Sequence, residues 1–267
     1  MSGIKIVIPH ALSLESSGLG SISICTPIEG LTLVLTPQKE KIFSVVNKYN
    51  WLSESIIPIL TQYQNILSDS QTGFQADFSV NTKVKSPDLL AFQAKLAVLT
   101  GVNKILKIGN SKREILDFIL KNDQSIHNSY NSNIVSGYLG GIFFMDSSTK
   151  RYLRLSYPRG IQFIYWKYSE GYYKSSPENS NRIIYLLNGL FKSDFELIRL
   201  GLDVHHENDN VVEIIKENNG MGIHRDENFG FSFFNNSAEA SLCIDQLKKI
   251  NIIAQMDHIN TDGSTLY

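Results

Sequence analysis

Residues 125–141 read Ser-Ile-His-Asn-Ser-Tyr-Asn-Ser-Asn-Ile-Val-Ser-Gly-Tyr-Leu-Gly-Gly, and this stretch decides the fold that we expect for the chain. Its first half, Asn128 to Asn133, is polar and is typical of a loop. Its second half ends in Gly140-Gly141 and leads into the apolar run Ile142–Met145, which predicts a strand. We expect a boundary between two halves of the chain near this change of pattern.

Segments typical of strands and of helices follow one another irregularly on both sides of this stretch. Alternating β-branched and aromatic residues predict strands at 4–8, 31–35, 42–46, 74–80, 151–156, 160–166 and 229–234. Helical spacing and capping residues predict helices at 51–67, from Ser86 onward, from Ser111 onward, at 181–200, at 211–216 and at 237–249. Ser111 and Glu114 form a capping box, and Ser237 is the expected cap of the last helix. The helix after Ser86 has a core-facing stripe of Leu89, Phe92, Leu96 and Leu99, and the helix 181–200 has Ile184, Leu187 and Phe191 on one face. Because regular strand–helix–strand units are missing, the pattern favours the α+β class over a doubly wound sheet.

Charge and composition narrow the classes of partner. The chain has 267 residues, with 25 basic and 26 acidic side chains and a net charge of −1, so we expect neither nucleic acid nor a membrane surface as a partner. Met1–Pro9 lacks the features of a signal peptide, and no apolar run approaches the ~18 residues of a membrane span. Cys25 and Cys243 stand alone in apolar segments, so buried free thiols in a cytoplasmic protein are expected.

The motifs, taken in order, resemble those of the GHMP small-molecule kinases, and homoserine kinase most of all. His127 and Asn133 ahead of Leu139-Gly140-Gly141 are similar to the family stretch in which a His and an Asn precede a Leu-Gly-Gly strand start. Tyr157-Pro158 resembles the family's Tyr-Pro strand end. Pro9–Gly20 resembles its first motif, Pro-x-x-x-x-Asn-x-x-x-Gly, and residues 237–254 resemble its closing helix and strand.

This resemblance implies a two-domain α+β fold. A ribosomal-S5-domain-2-like N-terminal domain would occupy residues 1–140, and a ferredoxin-like C-terminal domain would occupy residues 141–267. The family transfers the γ-phosphate of ATP to an alcohol with Mg²⁺, a reaction that depends on positioning and charge neutralisation. Homodimers are common in the family, so a homodimer is an expected assembly.

The resemblance also implies where the site residues lie. His127 and Asn133 match positions near the family's substrate pocket and are the catalytic candidates. Gly18 and Gly20 remain from the first motif as substrate-binding candidates. Lys167 stands near the position of a family arginine, where it would hold a carboxylate through one ammonium group instead of a bidentate guanidinium.

The loop that binds ATP phosphates in the family, Pro-x-x-x-Gly-Leu-Gly-Ser-Ser, has a changed counterpart at residues 81–88, Asn-Thr-Lys-Val-Lys-Ser-Pro-Asp. The family's glycines allow backbone N–H groups to approach the phosphates at a helix N-terminus. Here Pro87 has no N–H to donate, and Asp88 places a carboxylate in the first helical turn. The remaining nucleotide-binding candidates are Lys83, Lys85, Ser86 and Arg225.

The other two phosphate-site loops differ as well. Leu14 stands where the first motif has an asparagine, and the glycine-rich third motif corresponds to Gly222–Gly230, which contains bulky charged residues. Three hypotheses follow. The chain is a GHMP-fold protein that binds a small amino-acid-like ligand or a protein partner and has lost ordinary phosphotransfer. Alternatively, it is an active kinase for a homoserine- or threonine-type substrate with a rebuilt site for ATP and Mg²⁺, or it uses His127 as an acid/base in different chemistry.

Two further clusters have simpler explanations. His205-His206-Glu207 with Asp209 concentrates metal-capable side chains, but adjacent histidines project in different directions, so we expect an exposed loop and no metal site. The aromatic run 165–168 resembles a stacking surface, but core or interface packing is favoured because the chain lacks a basic excess.

Overall fold

The computed structural model describes residues 3–16, 19–66, 72–81, 87–123, 128–149, 151–167, 180–202, 210–225 and 229–267. Its strands are Ile4–Ser16 (β1), Gly20–Gln38 (β2), Phe43–Val45 (β3), Gly73–Val80 (β4), Ile142–Asp146 (β5), Tyr152–Leu155 (β6), Gln162–Lys167 (β7), His224–Arg225 (β8), Phe229–Phe234 (β9), Ala254–Asp257 (β10) and Thr265–Leu266 (β11). Its helices are Leu52–Ile66 (α1), Pro87–Ile105 (α2), Lys112–Asn122 (α3), Asn128–Leu139 (α4), Ser180–Lys192 (α5), Phe195–Leu202 (α6), Asn210–Glu217 (α7) and Ser237–Lys249 (α8). This mixture confirms the α+β class.

The chain forms two compact units, and each is built from separate stretches of sequence. The first unit contains residues 1–11, 28–140 and 261–267, and the second contains residues 12–27 and 141–260. The expected split between 1–140 and 141–267 has the same central boundary, but residues 12–27 and 261–267 belong to the opposite units. The domain division at residue 140 stays a prediction.

The first unit is built around α2. Every residue from Leu89 to Val102 in this helix is buried, because neighbouring elements cover it on all sides. The expected core stripe of Leu89, Phe92, Leu96 and Leu99 is therefore only part of its buried surface. The strands of this unit run in the order β11-β1-β2-β4-β3, with β3 parallel to β4.

The second unit contains an antiparallel four-stranded sheet in the order β10-β7-β9-β8. Trp166 of β7 lies in one core cluster with Val212 of α7 and Cys243 of α8. Phe163, Phe231 and Phe233 form a second set of contacting rings, with centroids 5.5 to 5.8 Å apart. Burial raises the pKa of the Cys243 thiol to about 12, so this side chain is an apolar core residue and not a nucleophile.

Several local predictions differ from the structure. The polar run 128–133, expected as a loop, is the first half of α4. The segment 181–200, expected as one helix, is two helices, because Ser193 has a positive φ of 55° and Asp194 then accepts hydrogen bonds from two backbone N–H groups of α6. The first motif, Pro9–Gly20, contains the end of β1 at Ser16 and the start of β2 at Gly20.

Two helices of the second unit add further details. In α5 the fully buried positions are Ile183, Leu186 and Leu190, whereas Ile184 is 43% exposed and Phe191 is 67% exposed. The N-cap of α8 is Asn236, whose side chain accepts a hydrogen bond from the Glu239 N–H, and not Ser237. The predicted capping box of α3, Ser111 with Glu114, is confirmed.

Across the described ranges, no helix has both the length and the apolar character needed to cross a membrane. Cys25 and Cys243 are buried free thiols, as the sequence predicted.

Candidate functional site

The connection that should carry the phosphate loop lies between β4 and α2. Strand β4 ends at Val80, Asn81 donates its backbone N–H to Gly30 O at 2.9 Å, and α2 begins at Pro87. The intervening residues 82–86 include the candidates Lys83, Lys85 and Ser86, which lie outside the described residues. The connection therefore joins a strand to a helix, as a phosphate loop does, but its sequence contains no glycine.

The first turn of α2 is poorly suited to a phosphate. A helix N-terminus attracts anions through its free N–H groups and its dipole. Pro87 removes one N–H at the first position, and Asp88 is an acidic residue in the first turn. The favourable end of the dipole is therefore already matched by a carboxylate of the protein itself.

Asn133 on α4 is a catalytic candidate whose position the structure describes, and one of its side-chain atoms lacks a hydrogen-bond partner among the described residues. It is only 6% exposed, and its Oδ1 atom accepts no hydrogen bond from any described residue. One turn further along α4, a Cβ on Gly137 would lie 2.8 Å from Pro9 O, so this face of the helix packs closely on β1. An unpaired buried amide oxygen costs free energy, which is a reason to expect a hydrogen-bond donor from a ligand.

Buried hydrogen bonds hold α4 in place. The hydroxyl of Tyr138 lies 2.6 Å from Thr100 Oγ1 of α2, and Thr100 also donates to Leu96 O at 2.7 Å. Burial raises the pKa of Tyr138, so its hydroxyl stays neutral. Asn133 therefore projects from a helix that is hydrogen-bonded to the central helix.

A buried ion pair that sequence patterns did not reveal joins α2 to the C-cap of α3. Lys95 of α2 pairs with Asp123, the C-cap of α3, and their side chains are 7% and 10% exposed. Asp123 directly precedes the segment 124–127, which contains His127 and lies outside the described residues. The two partners are far apart in sequence and each is an ordinary charged residue, so only the tertiary fold pairs them.

Gly20 has a structural reason to be a glycine. Its φ is +136°, and a Cβ at this position would lie 2.0 Å from Met145 O, across the pairing of β2 with β5. This close approach requires glycine whether or not a ligand binds. Gly18, the other glycine candidate of the first motif, lies outside the described residues.

The glycine pair that carries the family resemblance is also explained by packing. Gly140 has a φ of +79°, and a Cβ there would lie 2.4 Å from Gly263 N. Gly141 has a φ of +94°, and a Cβ there would lie 3.1 Å from Arg154 Nε. Both positions therefore need glycine for the local backbone path.

Lys167 and Arg225 lie at the same end of the four-stranded sheet. Lys167 ends β7 opposite Phe229, and Arg225 ends β8 opposite Gly230, so the two residues are separated by strand β9. Neighbouring strands lie about 4.8 Å apart, which places the two backbones about 10 Å apart. Lys167 is exposed; Asn133 belongs to the other unit.

The counterpart of the third motif contains the antiparallel strands β8 and β9. An aromatic ring fills the space beside its last glycine. A Cβ on Gly230 would lie 2.4 Å from the ring carbons of Trp166, on the neighbouring strand β7. Gly230 thus makes room for a core tryptophan. Residues 226–228, between β8 and β9 in the sequence, lie outside the described residues.

The Tyr-Pro strand end lies beyond β6. Burial raises the pKa of Tyr157, and the nearby Arg154 opposes this effect. The phenol therefore remains a neutral hydrogen-bonding group at physiological pH.

Of the residues whose placement is described, no group of three or more His, Cys, Asp or Glu side chains has a metal-binding arrangement, and His205–Asp209 lie outside them.

No protein-family model matches the sequence, and no curated protein matches it. Solved structures do match. Homoserine kinase from Cytophaga hutchinsonii has a TM-score of 0.75 at 14% identity, with 100% of this chain and 98% of that chain covered. Mevalonate kinase from Methanococcus jannaschii has a TM-score of 0.60 at 13% identity, with coverage of 97% and 98%.

Mevalonate diphosphate decarboxylase from Staphylococcus aureus matches with a TM-score of 0.58 at 12% identity, with coverage of 99% and 97%. These likenesses extend over nearly the whole of each chain, whereas the identities are too low to carry an activity from one protein to another. The chain therefore has the fold of the GHMP kinases, and homoserine kinase is among the structures that it matches over its full length.

Proposed function

We propose that this chain uses the GHMP-kinase fold to bind a small amino-acid-like ligand and no longer transfers phosphate from ATP. The observation that carries the proposal is the strand-to-helix connection 81–86, which lacks glycine and leads directly into Pro87 and Asp88 of α2. The altered third motif adds support, because the ring of Trp166 occupies the space beside Gly230. A phosphate cradle depends on an open glycine backbone, and the sequence of residues 81–86 contains no glycine.

Asn133 supports the ligand half of the proposal. Its buried amide oxygen has no donor among the described residues, and a ligand ammonium or hydroxyl group would supply one. His127 would be a further binding group in this proposal. Amino acids and their hydroxylated relatives carry ammonium and hydroxyl groups that such side chains can bind.

Calorimetric titration with ATP and ADP, with and without Mg²⁺, tests the loss of phosphotransfer. We expect no heat of binding at millimolar nucleotide. Micromolar binding would contradict the proposal and would favour the active kinase with a rebuilt site, in which Lys83, Lys85 and Arg225 neutralise the phosphates. In that case Lys85→Ala should abolish nucleotide binding.

Thermal unfolding with L-homoserine and L-threonine tests the ligand. A ligand that binds only the folded chain raises its melting temperature, and the rise should be absent in Asn133→Leu. Ser136→Ala is the matched control, because Ser136 lies on the same buried helix and its hydroxyl already bonds Asn133 O. An equal rise in both variants would exclude a role for the Asn133 amide.

Two other hypotheses keep their own tests. If neither a nucleotide nor an amino acid binds, a protein partner, such as a second copy of the chain, becomes the favoured ligand. Sedimentation in an analytical ultracentrifuge then measures self-association. If a reaction is found, His127→Gln should abolish it under the hypothesis that His127 is an acid/base.

A further inference from the structure

A groove of about 1070 Å³ opens on the first unit, where β2, β3, β4 and the end of α2 meet. Its volume lies slightly above the usual range for small-molecule sites, about 300–1,000 Å³. Residues Ile105 and Leu106, which line it, lie at the opposite end of α2 from Pro87. At 1.5 Å per residue, these helix ends are about 27 Å apart, so the groove is separate from the N-terminus of α2.

Hydrogen-bonding side chains form a row across the floor of the groove. Strand register places Thr36 of β2 opposite Gln75 of β4, and Ser44 of β3 opposite the same Gln75. Directly paired residues project from the same face of a sheet. The exposed face of the three strands therefore presents the Gln75 amide with one hydroxyl group on each side, that of Thr36 and that of Ser44.

A pair of amides completes this floor. Gln38 Nε2 donates a hydrogen bond to Gln75 Oε1 at 2.8 Å. This leaves the carbonyl oxygen of Gln38 and the amino group of Gln75 without a partner among the described residues. If the N and O atoms of both amides are exchanged, the pair still offers one carbonyl oxygen beside one amino group for a ligand. These two groups match the N–H and carbonyl groups of another amide.

The walls favour a neutral ligand with an apolar body. Ile42, which is 58% exposed, faces the groove together with Pro37, Ile105 and Leu106. The charged lining residues Lys39 and Glu40 have opposite signs and offset one another. A charged ligand would therefore gain little over a neutral one, whereas an apolar group would cover the exposed isoleucine.

We propose that this groove is a second binding site, for a small neutral carboxamide whose amide pairs with Gln38 and Gln75 and whose apolar part lies against Ile42, Ile105 and Leu106. The site is distinct from the one proposed at Asn133, because Asn133 is not among the residues that line the groove.

Titration of the ¹⁵N-labelled full-length protein with benzamide, followed by NMR, tests the site. For a ligand of this size a Kd of about 1 mM is expected, with shifts concentrated on the groove residues. Acetophenone has the same shape without N–H donors, and benzoate adds a charge. Both should bind at least about tenfold more weakly, the effect of losing one to two hydrogen bonds. Equal binding of acetophenone, or no shift with benzamide, would overturn the proposal.

Gln75→Leu should weaken benzamide binding by about tenfold. Ser79→Leu is the matched control, because it adds the same side chain on the same face of β4 outside the groove, and it should leave the Kd unchanged. If Gln75→Leu does not fold, Gln38→Met provides the same comparison. An unchanged Kd in the folded glutamine variant would overturn the pairing.

Discussion

Asn133 shows how one residue links stability to binding. Its buried amide oxygen has no partner among the described residues, and such a group costs about 1–3 kcal/mol. We therefore expect Asn133→Leu, which removes the unpaired group and nearly preserves volume, to raise the free energy of unfolding by about 1 kcal/mol. Urea denaturation measures this change.

The matched control is Tyr138→Phe on the same helix. Its hydroxyl is buried but bonded to Thr100, so its removal should lower the free energy of unfolding by about 1 kcal/mol. A loss of stability in both variants would mean that the Asn133 amide is already satisfied within the protein.

Gly230 is a second residue whose identity is decided by a neighbour. Gly230→Ala would place a methyl group 2.4 Å from ring carbons of Trp166, so the indole or the strand must shift. We expect a destabilisation of about 2–3 kcal/mol, typical of overpacking in a core. Calorimetry or urea unfolding measures the change.

Gly160→Ala separates packing from backbone strain. Gly160 has a φ of +84° with open space around it, so alanine there costs only about 1 kcal/mol of conformational strain. Equal losses at the two positions would show that the contact with Trp166 is relieved by relaxation.

At the scale of elements, the capping box of α3 makes stability depend on pH. The Glu114 carboxylate accepts hydrogen bonds from Ser111 N and Oγ, both at 2.7 Å, and these bonds hold the pKa of Glu114 below its usual value. A carboxyl group with a lowered folded pKa stabilises the fold above its unfolded pKa of 4.5, and this contribution is lost as pH falls through the folded value.

The measurement is the free energy of unfolding between about pH 3 and pH 6. Glu114→Gln keeps a hydrogen-bonding side chain at this position but cannot titrate, so the variant should lose less stability than the original protein on acidification. Parallel curves for the two proteins would show that other carboxyl groups dominate this pH range.

Elements also show where local sequence was insufficient. The capping box was predictable because its hydrogen bonds join residues three apart. The polar run 128–133 was not, because it becomes helical through its place in α4, which is buried from Ser132 to Tyr138 and anchored to Thr100. Tertiary burial thus overrides the loop preference of asparagine and serine.

At the scale of the whole molecule, the discontinuous units predict how fragments behave. If the chain is cut after residue 140, two strand pairings are divided between the fragments. Residues 20–24 of β2 lose their partner β5, and β1 loses its partner Thr265–Leu266. A fragment of residues 141–267 would leave the β2-facing edge of β5 unpaired, and a fragment of residues 1–140 would lack β11. We expect neither fragment alone to fold.

Circular dichroism and ¹⁵N NMR spectra of the two fragments, alone and mixed, measure this. Dispersed amide signals should appear only in the mixture, where the missing strand pairings are restored. A well-dispersed spectrum of fragment 141–267 alone would instead support the simple two-domain division of the sequence.

The sequence alone determined the α+β class, the positions of most strands and helices, the capping box and, through the order of weak motifs, the likeness to the GHMP kinases. These features depend on residues near one another in the chain, where periodicity and caps act. It also exposed the loss of glycine from residues 81–88, since composition is read without coordinates.

Only the tertiary structure decided that Gly20 and Gly140 serve backbone packing, that Lys95 pairs with Asp123, and that residues 12–27 belong with residues 141–260. Each of these depends on groups far apart in sequence, and their approach is set by the burial of the whole core. Chain-local patterns carry no information about which distant atom fills the space beside a given residue.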